Sequence, residues 1–384
     1  MNSLRQFIDK IKPNFEKGGK FEKLGSTFGA FETFAFVPNE VTKKGSHIRD
    51  AVDMKRTIIV VVLALIPALL FGMWNVGYQH SLSIGETAPI CDTIWQNFWY
   101  GFLRVLPIIV VTYVVGLAIE FTYAQIRGHA VNEGFLATGL LIPLIVPVTI
   151  PLWQVALATA FAVIIGKEVF GGTGMNFMNP ALVARAFLFF AYPNCMSGDK
   201  VWIHNAGDAI SGATPLGDAM VGNFSSMPSV MDMFWGIIPG SIGETSIPAI
   251  LIGAVLLLVT GVASWRIMLS IVLGASAVGL LINAIGGNGY MELPFYYHFL
   301  MGGFAFGCVF MATDPVTAAQ TNKGKWIYGF LIGAFAVVIR VFNPAYPEGM
   351  MLAILLMNVF APLIDYYVVD ANIRARKKRM QVSK

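Results

Sequence analysis

The sequence predicts an all-α integral membrane protein of about ten transmembrane helices, arranged as two inverted five-helix repeats. Three observations predict this. Of 384 residues, 56% are hydrophobic and 12% charged, about half the roughly 25% charged fraction of a soluble globular chain. The mean hydropathy of +0.67 agrees. Uncharged runs cover 57–85, 134–166, 245–265 and 267–291, each near or above the ~20 residues a helix needs to cross a bilayer. Finally, short words recur in the same order in the two halves. This composition excludes a disordered, collagen-like or ordinary cytosolic chain.

Taken in order, the apolar runs predict spans at 57–75, 98–121, 134–150, 152–170, 178–193, 246–264, 266–286, 294–312, 326–343 and 348–369. The third, fifth and ninth are short or interrupted by Gly and Pro. Basic residues orient them. Eleven of the 26 Lys and Arg lie in residues 1–56 and six in 372–384. With both tails cytoplasmic, the inner loops carry Arg127, Lys167, Arg266, Lys323 and Lys325. The outer loops at 76–97, 151 and 287–293 carry no Lys or Arg. The long outer loop, 194–245, holds Lys200 but also Asp199, Asp208, Asp218, Asp232 and Glu244.

Five segments follow: a cytoplasmic extension over 1–56, a first five-helix unit over 57–193, the outer loop over 194–245, a second unit over 246–369 and a basic tail over 370–384. The extension lacks the apolar core near residue 30 that a secretory signal requires. The net charge of +4 comes without aromatic–basic interleaving, so no nucleic-acid partner is expected. Cys91, Cys195 and Cys308 are widely spaced, and no metal cluster held by this chain alone is expected.

The recurring words are Gly134-Phe135 and Gly303-Phe304, Pro147-Val148-Thr149 and Pro315-Val316-Thr317, Trp153 and Trp326, Phe161-Ala162-Val163 and Phe335-Ala336-Val337, and Asn179-Pro180-Ala181 and Asn343-Pro344-Ala345. Their offsets stay between 163 and 174 residues. Five helices per unit, an odd number, send the second copy into the membrane inverted, and sites in such folds lie between the halves. Gly-Gly-Thr-Gly at 171–174, followed by Asn176 and Asn179-Pro180, reads in two ways: a broken helix whose freed amides bind an anion or a ring edge, or a tight turn between spans.

Ionisable groups in or beside the spans are Arg104, Glu120, Arg185, Asp314, Arg340 and Asp365. Buried charge in a membrane points to function, although long side chains near helix ends also snorkel to the interface. Glu120 and Asp365 stand out, because carboxylates offer the oxygen ligands a hard cation needs. No Walker loop, Ser-His-Asp order or HExxH is present to support hydrolytic or ATP-driven chemistry.

The outer loop contains Asp208-Ala209-Ile210-Ser211-Gly212-Ala213-Thr214-Pro215-Leu216, a threonine hydroxyl flanked by small residues. It resembles a flavinylation signature, D-x-x-S-G-A-T-x-L/T. Further matches are Glu133-Gly134-Phe135, the stretch 166–193, MATDPVTA at 311–318 and APLID at 361–365. Together they make the chain resemble the NqrB/RnfD family, which contains the NqrB membrane subunit of the sodium-translocating NADH:quinone oxidoreductases and its relative RnfD of the Rnf electron-transport complex. The long segment before the first span is more like the quinone reductase subunit.

The resemblance implies a multi-pass protein of a bacterial inner membrane, one of six subunits and so with five partners, matured by a flavin transferase. Electrons from NADH would reach FMN held as a phosphoester on Thr214, with Ser211 and Gly212 beside it, then a noncovalent riboflavin and finally quinone, with sodium ion export. Riboflavin contacts carry over to Asn176 and Asn179, whose amides both donate and accept. The quinone region carries over to Gly116 and Glu120; Leu117 stands where the family has a second Gly, which puts inhibitor sensitivity in doubt. Asp365 matches an acid on the sodium pathway. Two alternatives stay open: an Rnf-type subunit, and a small-solute channel or transporter, which an inverted repeat suits equally well.

Overall fold

The computed structural model describes residues 2–15, 19–21, 25, 28–29, 32, 45, 54–85, 90–127, 134–204, 212–287, 289–343 and 348–382. Among these every regular element is helical. The main helices are α1 (Asn2–Ile11), α2 (Met54–Ser83), α3 (Ile90–Arg127), α4 (Phe135–Leu144), α5 (Leu152–Gly166), α6 (Pro180–Ala191), α7 (Pro215–Val221), α8 (Val230–Trp235), α9 (Ile247–Val259), α10 (Trp265–Ile285), α11 (Asn322–Phe342) and α12 (Met350–Val382).

The all-α membrane class holds, but the ten expected spans are not equal. Among the described residues six helices are long and apolar enough to cross a bilayer: α2, α3, α10, α11, α12 and α5 with its short continuation to Phe170. At 10, 12 and 13 residues, α4, α6 and α9 rise only ~15–20 Å, against a ~30 Å hydrocarbon core. The expected eighth span, 294–312, is broken into Tyr297–Leu300, Phe304–Phe306 and a π-helical turn, Gly307–Met311.

Proline explains the stop of α4. Pro143, Pro147 and Pro151 recur every four residues, and each removes a backbone donor and blocks the helix. The non-helical stretch after Leu144 is buried, so its polar groups need partners. The Gly243 amide donates to the Leu144 carbonyl at 2.7 Å, and Thr149 Oγ1 donates to the Val201 carbonyl at 2.7 Å. In the eighth segment the break falls at Gly302, whose φ of +60° lies in the left-handed region that suits glycine.

Packing in the two halves is similar in most pairs, although α2 packs along α3 with no equivalent contact between α9 and α10 among the described residues. In the first half, α3 packs on α5, α5 on α6, and α4 on α2, α3 and α6. In the second, α10 packs on α11, α11 on α12, and the broken segment on α9, α10 and α12. Across the halves, α2 meets α9 and α6 meets α12. Small residues bring α10 and α11 together: Gly274 lies on the backbone of Phe330, and Gly333 on that of Ile271, as membrane helix pairs commonly do.

Most buried apolar side chains form a single core between these helices, centred on residues such as Leu65, Ile142, Leu182, Ile271 and Phe306. A second, smaller core forms from Leu216, Ala219, Met233, Ile238, Tyr290 and Met301. It seats α7 and α8 of the 194–245 loop against the second half. We call this the loop face, and the opposite side, where α2 begins and α12 ends, the tail face.

Candidate functional site

Two cavities lie on opposite sides of the core. The first, of about 400 Å³, opens toward the tail face. Its walls come from both halves: Thr57 to Val61, Gly134 to Leu141 and Lys167 to Pro180 from the first, and Leu257 to Ala263 and Phe310 to Val316 from the second. That volume falls in the ~300–1,000 Å³ range of small-molecule sites, which are mostly apolar with a few placed polar groups.

Asn176 and Asn179 both line this cavity. Asn179 ends the non-helical entry and caps α6: its Oδ1 accepts from the Ala181 amide at 2.9 Å. Its Nδ2 donates to Asp314 Oδ2 at 3.3 Å, joining the halves across the cavity. Asn176 Oδ1 accepts from the Gly174 amide at 3.2 Å, and its Nδ2 donates to the Met178 carbonyl at 3.1 Å. Each side-chain amide has two N–H donors, so each keeps one beyond these bonds. Thr173 Oγ1, in the same wall, is buried without a hydrogen-bond partner. These groups suit a flat, polar-edged ring system.

Glu120 reaches the same neighbourhood. It lies near the tail-face end of α3, 4% exposed, and forms a short ion pair with Lys167, the residue closing α5. Lys167 also lines the cavity. Gly116, one turn earlier on α3, lies against the ring of Phe135 at the start of α4; a side chain there would displace it. Leu117 is half-buried beside it.

The second cavity, of about 270 Å³, lies under the loop face. Thr214 lines it and caps α7, its Oγ1 accepting from the Gly217 amide at 3.1 Å. Gly212 is tucked against the Asp199 carbonyl, while Ser211 and Asp208 lie outside the described residues. The inner wall is an ion cluster. Arg185 of α6 donates to Glu244 at 2.6 Å and pairs on its other side with Glu348. Behind this wall, outside the cavity lining, Arg340 is fully buried and donates to the carbonyls of His298 at 2.6 Å, Met301 at 3.0 Å and Glu348 at 3.0 Å. Beside the cavity, Trp202 leads to His204, whose ring bonds Tyr100 Oη at 2.9 Å and whose carbonyl meets His80 Nδ1 at 2.8 Å.

Asp365 belongs to neither cavity. Its carboxylate accepts from the Gln320 amide at 2.6 Å and from the Thr321 amide and hydroxyl at 3.0 and 2.5 Å. Thr321 in turn caps α11 through the Gly324 amide at 3.0 Å.

The family model described as the NQR2, RnfD, RnfE family matches residues 41–374. The chain belongs to this family. Relatives agree over almost their whole lengths. The B-type subunit of the Na(+)-translocating NADH-quinone reductase from Ectopseudomonas mendocina is 51% identical over 98% of this chain and 99% of its own. Proteins of the same name from Stutzerimonas stutzeri and Chromohalobacter salexigens are each 50% identical over 98% of this chain, covering 99% and 96% of their own lengths.

Of the residues the sequence singles out, the fold of this family member brings Asn176, Asn179 and Asp314 to one cavity, sets Glu120 beside it through Lys167, and places Thr214 and Arg185 in the other. Sequence reasoning missed Lys167, which reads as an orientation marker, Glu244, which reads as a loop acid, and Glu348, which falls at the first residue of the tenth expected span. The available signal was that Lys167-Glu168 interrupts an otherwise uncharged stretch from 134 to 182.

Proposed function

We propose that this chain is the NqrB-type subunit of a Na⁺-translocating NADH-quinone reductase, carrying FMN on Thr214 beside the loop-face cavity and a riboflavin in the tail-face cavity. The observation that carries the reading is the placement of Thr214. In a chain half-identical to B-type subunits of that enzyme over nearly their full lengths, the motif threonine lines a cavity backed by buried ions. The two halves act as five-helix units with the second inverted, both tails lie on the cytoplasmic side of an inner membrane, and five further subunits complete the complex.

Flavins supply one- and two-electron chemistry; the protein supplies position and field. Thr214 offers its oxygen for the phosphoester, and the cap it makes to Gly217 holds that oxygen at the start of α7. Arg185 supplies positive charge in the same cavity, steadied between Glu244 and Glu348. In the tail-face cavity the remaining N–H donors of Asn176 and Asn179 would hold the polar edge of a bound flavin. The two cavities share α6: six residues separate Asn179 from Arg185, about 9 Å along the helix. Gly116 and Glu120 lie at the edge of the tail-face cavity, where quinone would approach, and Asp365 takes part in sodium uptake.

The test is covalent flavin. In cells that possess the flavin transferase, denaturing electrophoresis of the wild-type subunit gives a band fluorescent under ultraviolet light, and Thr214→Ala abolishes it while the complex still assembles. A dark wild-type band sinks the redox reading in favour of a solute carrier; a fluorescent Thr214→Ala band moves the attachment elsewhere.

A further inference from the structure

Lys167 occupies an unusual position: one ammonium pairs with a buried carboxylate and belongs to a residue that also lines a ligand-sized cavity. Its side chain is 4% exposed and pairs with Glu120 Oε1 on α3. The same side chain lines the tail-face cavity with Asn176, Asn179 and Asp314. An ammonium carries three donors, and Glu120 Oε1 takes one.

The surroundings hold more negative than positive charge. Glu168, next in the chain, is 4% exposed, and Asp314 stands across the cavity. One oxygen of Glu120 and one of Glu168 are buried without hydrogen-bond partners among the described residues. A buried carboxylate that loses its cation is costly, several kcal/mol by the usual reckoning. Any shift of Lys167 away from Glu120 therefore calls for another cation there.

We propose that Lys167 is a shared counter-charge, linking the electron load of the cavity ligand to the charge state of Glu120. The inference rests on the flavin reading of this cavity. Electrons added to a ring beside Lys167 increase its attraction for the ammonium and weaken the hold on Glu120, so that a monovalent cation or a proton takes the place of the ammonium at Glu120. By linkage the effect is reciprocal: whatever neutralises Glu120 frees Lys167 for the ring and makes reduction easier. Lysine suits this task because it is a compact charge on a flexible stem, where the fork of arginine would hold fixed partners.

The experiment is a double-mutant cycle on the whole complex, read as the midpoint potential of the extractable flavin in oxidised-minus-reduced absorbance titrations of the wild type and each variant. Lys167→Met should lower the reduction equilibrium constant at least tenfold. Glu120→Gln should raise it severalfold. In the double variant the Glu120→Gln increase should vanish, because the group that transmits it is gone. Additive effects would mean that Glu120 acts on the ring directly and would overturn the proposal, as would an unchanged potential in Lys167→Met. Where Lys167→Met fails to assemble, Lys167→Gln replaces it; where neither assembles, the potential of Glu120→Gln decides, and no shift overturns the proposal. Wild-type complex with no extractable flavin overturns the flavin reading itself, a result distinct from bound flavin of unaltered potential.

Discussion

Two buried cations, one toward each side of the core, are held in different ways. Lys167 closes α5, and Arg340 lies in the last turn of α11. They are 173 residues apart, as are Trp153 and Trp326, and each stands at or near the C-terminal end of its helix. Lys167 meets the Glu120 carboxylate; Arg340 meets three backbone carbonyls, those of His298, Met301 and Glu348. A single pairing of a flexible ammonium can be exchanged for another. Three bonds radiating from a planar guanidinium cannot be remade elsewhere without unfolding what they hold. One half thus keeps a transferable charge and the other a pinned one.

Removing the pin should have the largest effect. Arg340→Met leaves the buried His298 and Met301 carbonyls without a donor, while that of Glu348 keeps the Met350 amide, and unsatisfied buried groups cost about 1–3 kcal/mol each. The expected result is loss of at least ~2 kcal/mol of stability, seen as a sharp fall in thermal stability and yield of the detergent-solubilised complex. The damage should centre on the loop face. Arg340 Nη2 binds the Met301 carbonyl, and Leu216 and Met301 share the small core beneath α7, so covalent flavin on Thr214 should fall with it. Arg340→Lys recovers less than half of the loss, since an ammonium lacks the fork. An Arg340→Met complex of normal stability and full flavin content would erase the distinction between the two cations.

The membrane class, the tail and loop faces and the order of elements were legible because hydropathy needs only runs of about 20 residues. The broken spans were not. A run such as 134–150 is apolar throughout, and hydropathy does not register that prolines at 143, 147 and 151 end the helix or that Gly243 supplies the missing donor from another segment. Site residues divided along the same line. Asn179, Asp314 and Thr214 carry local signals, a capping residue or a motif word. The pairing of Lys167 with Glu120 joins residues 47 apart, and that of Arg185 with Glu348 joins residues 163 apart. No local pattern reports such contacts.

Asp365 gives a middle-sized test on the tail face, away from both cations. Its carboxylate already accepts three hydrogen bonds from Gln320 and Thr321, and about four acceptor sites exist on an ionised carboxylate. One site and the full charge remain for a passing cation. Asp365→Asn keeps an acceptor for Thr321 while removing the charge, so the start of α11 stays capped. The expected result is an assembled complex needing about tenfold more sodium for half-maximal stimulation of turnover, a difference of ~1.4 kcal/mol. Unchanged sodium dependence with reduced stability would make Asp365 a cap for α11 and nothing more.

The smallest effect concerns how the loop face is tied down ahead of Thr214. His204 joins the outer ends of α2 and α3: its ring bonds Tyr100, its carbonyl meets His80, and the His80 and Tyr100 rings stack 4.2 Å apart. Burial first, then the positive charge of Arg104 and the neighbouring His80, push the His204 pKa below its ordinary 6.5. A histidine lowered in this way binds fewer protons folded than unfolded between the two values, so its stabilising share is complete above about pH 6.5 and declines as pH falls toward the folded value. Acidification from about pH 7.5 to about 5.5 should therefore loosen the tie. Amide hydrogen exchange over 201–204, corrected for its intrinsic pH dependence, should quicken severalfold, while exchange around Lys167 should not change. His204→Gln should remove the acid-dependent part. Acid loosening that persists in His204→Gln would assign the effect to His80 instead, and equal loosening around both cavities would show that the two faces are not held independently.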